Sequence, residues 1–363
     1  MIRQHGKLTF LSFLLVVLCG NTFAQKIPVI PLDLDSLITV GYATGSLKTL
    51  SGSVEKITEK QMNKDQVTNP LEAIRGRVPG LTIQRGTNGP AALDAVRLRG
   101  TTSLTSGNDP LIIVDGVFGD LSMLTSIYPT DIESFTILKD ASETAQYGSR
   151  GASGVIEVTT KKGMQGRTQV AYNGSFGIST VYKNLKMLSG DEFRSVASER
   201  GISILDKGNN TNFQKEIQQT GLQQNHHVAF YGGSSTSSYR VSLGFMDRQG
   251  VILNEDMKNF TSNMNMNQKM FDGFFDCELG MFGSILKNHN LVDYQKTFYS
   301  AATFNPTYPN HKDPVTNSWD GITTASQITN PLAWMQVDDD DATSHISTHA
   351  RFTFNLMKEL KLV

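Results

Sequence analysis

From residue 164 onward the chain alternates between apolar and polar positions. Val170, Tyr172 and Phe176 alternate with Ala171, Asn173 and Ser175, and Tyr239, Val241, Leu243 and Phe245 alternate with Arg240, Ser242 and Gly244. Met264 and Met266 sit between Asn263, Asn265 and Asn267. Phe275, Cys277, Leu279 and Met281 alternate with Asp276, Glu278 and Gly280; Ala350, Phe352, Phe354 and Leu356 alternate with Arg351, Thr353 and Asn355. A strand turns successive side chains to opposite faces, so each run has one apolar and one polar face. Segments of about ten such residues fit a transmembrane β-barrel, although a soluble β-sandwich alternates too. Gly232-Gly233-Ser234-Ser235 and Asp272-Gly273 predict hairpin turns. Residues 288–348, rich in Asn, Asp, Pro and aromatics, predict a long loop on the extracellular side.

Residues 50–163 are patterned differently. Short apolar runs predict strands at Leu81–Gln84, Val96–Arg99, Leu111–Val114, Phe135–Leu138 and Val155–Thr159. Asn69-Pro70-Leu71-Glu72 reads as a helix start, with Asn as N-cap, Pro at the first position and Glu three residues after the cap. Asp140-Ala141-Ser142-Glu143 repeats that logic, with Gly148 placed as C-terminal cap. Helices between short strands predict a small α+β domain.

The first 24 residues read as a cleaved signal peptide: basic Arg3, His5 and Lys7, an apolar core from Leu8 to Leu18, and Thr22-Phe23-Ala24 before Gln25. That core is too short to span a bilayer as a helix. Residues 25–49 read as a tether containing Pro28 and Pro31. After cleavage Cys277 is the only cysteine, which excludes an intrachain disulfide and multi-thiolate metal sites. A net charge of −1 gives no electrostatic case for nucleic-acid binding.

Catalytic patterns are lacking. His226-His227 is placed at a strand start, without the helical i, i+4 spacing of a zinc protease. Asp338-Asp339-Asp340-Asp341 has carboxylates suited to calcium but no EF-hand spacing, and reads better as a solvated loop. Gly148, Gly151 and Gly154 do not have the dinucleotide spacing and follow a helix, so they read as turn glycines. The chain reads as a non-enzyme without a cofactor.

One stretch carries a resemblance. It runs through Arg97-Leu98-Arg99-Gly100, Leu111-Ile112-Ile113-Val114-Asp115-Gly116, Leu138-Lys139-Asp140 and Tyr147-Gly148-Ser149-Arg150-Gly151-Ala152-Ser153-Gly154 to Gly163. This order of motifs resembles the plug domain of TonB-dependent outer-membrane transporters of the SusC/RagA group. The resemblance implies an α+β plug domain followed by the first strands of a large antiparallel transmembrane β-barrel. It implies import of oligosaccharides or peptides across the outer membrane, with TonB and a SusD-like surface lipoprotein as partners and outer-membrane lipid around the wall. It makes Leu37, Ile38, Thr39, Val40 and Gly41 the candidate TonB box, although they also read as a first strand of the plug. It further implies that Arg97, Arg99, Asp115, Lys139, Asp140 and Arg150 pair with charges of the barrel lumen; the plainer reading has them capping turns and facing water.

Only 200 residues follow Gly163. A barrel of about 22 strands needs roughly 220 residues before any loop, so the sequence reads as the N-terminal portion of a transporter. Two other readings are an outer-membrane receptor or adhesin that binds ligand without transport, and a soluble periplasmic or secreted adhesin.

Overall fold

The computed structural model describes residues 37–40, 43–46, 53–63, 69–86, 94–104, 107–291, 293–321, 330–337, 339–357 and 360–363. Strands β1 (Leu37–Val40) and β2 (Ala43–Ser46) form an antiparallel hairpin of their own, outside both sheets of the domain that follows. The expectation that Leu37–Val40 is a strand of the plug sheet is therefore replaced by a separate hairpin. Gly41, the signal peptide and Asp338 lie outside the described residues.

The next segment builds a small α+β domain from β3 (Val54–Thr58), β4 (Leu81–Gln84), β5 (Ala95–Leu98), β6 (Leu111–Val114), β7 (Val117–Gly119), β8 (Ile132–Leu138) and β9 (Val155–Thr160). One sheet has the order β3-β8-β9-β6-β7, with β6 and β9 parallel, and β4-β5 form a second. Leu98, Ile112, Leu124, Phe135, Ile137 and Ile156 are fully buried in one core.

Two helix expectations need correction. Asn69 caps as predicted, its side chain accepting from Leu71 N, but the element is a 3₁₀ turn, Pro70–Ile74. Asp140 does not cap the short helix Ala141–Thr144 with its side chain; its Oδ2 accepts from Ser53 N at 2.6 Å instead, securing the start of β3. Gly148 does not end that helix either. It lies inside a second turn, Ala145–Gly151, with φ 60° and ψ −147°.

The alternating part folds as one antiparallel sheet of seven sequential strands: β10 (Gly166–Ser179), β11 (Gly221–Gly233), β12 (Ser237–Gln249), β13 (Asp256–Met270), β14 (Phe275–His289), β15 (Asp340–Met357) and β16 (Leu360–Leu362). The long strands have 13 to 18 residues, more than the pattern predicts. The expected loop 288–348 is correspondingly shorter, because β14 runs through His289 and β15 begins at Asp340. Asp340 and Asp341 therefore sit in a strand, and Asp340 Oδ1 lies 2.7 Å from His289 Nδ1.

Register separates the two faces of this wall. Phe245, Phe260 and Ile285 share one outward rung; below it come Leu243, Ser262, Gly283 and Ile346, then Val241, Met264 and Met281, then Tyr239, Met266 and Leu279. The band ends at Met270, Phe275 and Phe354. From Phe260 to Met270 the strand advances roughly 33 Å, or ~25 Å along the membrane normal at a tilt near 40°. That is the height of the apolar band of an outer-membrane barrel. Short turns at 234–236 and 271–274 close one end of the wall.

At the other end, the segments between β10 and β11 and between β14 and β15 pack on the β12–β13 turn. Phe213, Ile217, Ile252, Leu291, Phe304 and Met335 form a second apolar core there.

Candidate plug–wall interface

The inward face of the wall is polar and is pressed against the α+β domain. Ser242, Asn259, Thr261, Asn263 and Asn265 are all buried there, although strand alternation alone would leave them facing water. A continuous polar surface in contact with another domain needs hydrogen bonds to offset its desolvation, and those bonds define the site.

Asp131 is the centre. It ends the turn Pro129–Asp131 that leads into β8, and only 2% of it is exposed. Its Oδ1 accepts from Arg240 Nη2 at 2.8 Å and lies 3.0 Å from His227 Nε2, while Oδ2 accepts from Ser242 Oγ at 2.6 Å. Burial alone would raise the Asp131 carboxyl. The hydrogen bond and charge of His227, with the bonds from Ser242 and Arg240, outweigh it and hold the group below its ordinary value. Tyr128 stacks on His227 with ring centroids 4.6 Å apart, and burial together with the nearby Asp131 charge pushes its phenol up to about 12. Gly244, opposite His227 in the register, makes this stack possible: a Cβ there would lie 2.4 Å from the Tyr128 ring.

Further contacts run along the same wall. Asn259 Nδ2 donates to Thr125 O at 3.1 Å, and the Ser284 and Ser126 hydroxyls meet at 3.1 Å. Towards the turn end, Asn265 Nδ2 donates to Thr160 Oγ1 at 3.1 Å. Lys162 pairs with Glu278, which also accepts from Arg351 Nη1 at 3.3 Å. Apolar contact is slight by comparison; among the described residues, Phe282 is the one wall residue in the buried core of the α+β domain.

The residues singled out from sequence sit elsewhere. Arg97 pairs with Asp109, and Lys139 Nζ lies 2.6 Å from Glu55 Oε2. Arg99 donates to Lys139 O at 2.6 Å and approaches Asp140 at 3.9 Å. Asp115 accepts from Thr160 N and Thr160 Oγ1 at 3.0 and 2.6 Å. Tyr147 Oη donates to Glu157 at 2.5 Å. Arg150 is exposed beside a cavity of about 700 Å³ between the domain and the wall. Gly100, Gly116, Gly148 and Gly154 adopt positive φ, while Gly151 is buried against Thr144. Among the described residues Arg97, Arg99, Lys139 and Asp140 take their partners within the α+β domain and make no ion pair with the seven strands of the wall. Asp115 is linked to the wall through Thr160 and Asn265. The placing of His226-His227 at a strand start is corrected, since both lie in the middle of β11.

Residues 46–155 match the model of the TonB-dependent Receptor Plug Domain. The chain is 31% identical over 362 residues to the TonB-dependent receptor SusC of Bacteroides thetaiotaomicron, an alignment covering 91% of this chain and 36% of SusC. The chain belongs to the SusC/RagA group of TonB-dependent receptors. Its fold matches the RagAB peptide importer in the "open-open" state with a TM-score of 0.75 at 24% identity, over 90% of this chain and 41% of that one. The SusC/RagA chain described here spans about a third of the length of SusC. Its α+β domain is the plug, and its seven-stranded sheet corresponds to the start of a receptor barrel.

Proposed function

We propose that this protein takes part in TonB-dependent import of oligosaccharides or peptides across the bacterial outer membrane. The observation that carries this reading is the polar contact between plug and wall. A plug seated through Asp131, Thr160, Ser126 and Lys162 exchanges hydrogen bonds with water as it moves, whereas an apolar seat would resist displacement. TonB would capture the segment Leu37–Gly41, whose described part is extended backbone suited to strand addition. A SusD-like surface lipoprotein would sit over the loop end. Kinship with SusC supports TonB-dependent import, and the fold shared with a peptide importer favours the peptide class; the oligosaccharide class rests on the resemblance of the plug motifs alone.

In the full-length protein, deleting Leu37–Val40 abolishes uptake of labelled oligosaccharide or peptide while surface binding persists. Uptake that survives the deletion overturns the assignment of this segment.

A further inference from the structure

We propose that Lys258 and Lys287 form a seat for the phosphate of an outer-leaflet lipid headgroup. The proposal rests on the reading of the sheet as a membrane-spanning wall.

Lys258 of β13 and Lys287 of β14 are directly opposite in the register, and both are exposed on the outward face. Like charges placed opposite one another on neighbouring strands repel. Neither ammonium has an ion-pair partner among the described residues. The nearby acids lie to the side and above. Asp247 follows Lys258 on the same rung and accepts from Gln224 Nε2 at 3.2 Å; Asp256 is on the next rung, and Asp340 is held by His289.

Height decides what answers the two charges. The rung just below holds Phe245, Phe260 and Ile285, the upper boundary of the apolar band. The lower boundary, where Phe275 stacks on Phe352 at 6.0 Å and tilts against Phe354 at 4.8 Å, has no two lysines opposite one another in the register among the described residues. A pair of lysines therefore marks the loop end of the band and not the turn end. Flexible lysine stems let both ammonium groups converge on one anion at that level. A lipid delivers its phosphate to this height, because its acyl chains lie against the apolar rungs. That tethering raises the local phosphate concentration in a way that a free anion cannot match.

The test is native mass spectrometry of the full-length protein extracted from outer membranes, titrated with a phosphorylated lipid A and with its dephosphorylated form. The unaltered protein retains the phosphorylated form roughly 10–30-fold better, the size expected from two lysines near an anionic lipid. Lys258→Gln with Lys287→Gln loses that preference, while Lys269→Gln near the turn end keeps it, and heat-modifiable gel migration shows that each variant is folded. Equal retention by the double variant overturns the proposal. Displacement of the lipid by millimolar inorganic phosphate assigns the site to a free anion and overturns it as well. Recovery of the full-length protein only in the soluble fraction overturns the membrane-spanning reading itself, an outcome distinct from lost preference in a membrane-bound protein.

Discussion

Asp131 of the plug and Arg240 of the wall meet at 2.8 Å, although 109 residues separate them in the sequence. Both are buried, and His227 and Ser242 complete the carboxylate's shell. Removing one partner of such a group strands the others in a dry site, at a cost of about 3–5 kcal/mol. Asp131→Ala is therefore expected to loosen the plug by that order, read as faster proteolysis of residues 50–163 in outer-membrane vesicles. Because the folded Asp131 carboxyl is held below its unfolded value, its contribution is present above the ordinary aspartate range and fades as pH falls through the folded value. The variant loses that acid-side dependence.

Gly244 controls the stack beside this cluster. Gly244→Val places methyl groups where the Tyr128 ring lies and forces Tyr128 off His227. Overpacking of this kind costs about 1–3 kcal/mol. Thermal unfolding of the variant checks it, and because the Thr261 hydroxyl lies as close to the added Cβ as the Tyr128 ring, Tyr128→Ala in the same background is expected to relieve the clash only in part.

Lys162 and Glu278 make the weaker contact. Lys162 is 41% exposed, so its ion pair is screened by solvent. Lys162→Ala is expected to change plug stability by about 0–1 kcal/mol, clearly less than Asp131→Ala in the same proteolysis assay.

At the loop end, Glu255 is 2% exposed and accepts a hydrogen bond from Tyr294 Oη at 3.0 Å. Burial pushes its carboxyl up to about 7, with the Tyr294 bond and the Arg248 charge opposing; the Glu255 charge and burial in turn raise the Tyr294 phenol. A raised folded value means that the protonated form stabilises the loop cluster. That contribution is complete below the ordinary glutamate range and is lost as pH rises through about 7. Full deprotonation weakens the cluster by an amount on the order of 3 kcal/mol. Protection factors for hydrogen exchange in residues 294–303, with the base-catalysed rise of intrinsic exchange divided out, are expected to fall between pH 6 and pH 8, and Glu255→Gln to hold them level.

The wall was legible in the sequence because lipid demands apolar side chains at every second position, as at Val241, Leu243 and Phe245. The hairpin turns were legible for the same local reason. The contact site was not. Ser242 and Arg240 occupy the polar half of the alternation, and nothing local distinguishes a position facing water from one facing a plug. Asp131, the partner of both, arrives from more than 100 residues away. The conspicuous plug charges lie away from the contact with these strands: Arg99, Lys139 and Asp140 stand out in a motif, and among the described residues their partners are within the plug. Strand lengths were underestimated because the polar rungs above the apolar band carry no hydrophobic signal, as at Lys287, Asn288 and His289.

The plug lies against this wall, and the proposed import requires it to leave the wall. The Ser126 and Ser284 hydroxyls, 3.1 Å apart, offer the most direct test. In the full-length protein with Cys277→Ser, the pair Ser126→Cys and Ser284→Cys is oxidised in whole cells and uptake is measured before and after reduction. The bond is expected to form, uptake to stop while it is closed, and reduction to restore it. Undiminished uptake with the bond closed would show that the plug need not leave this wall.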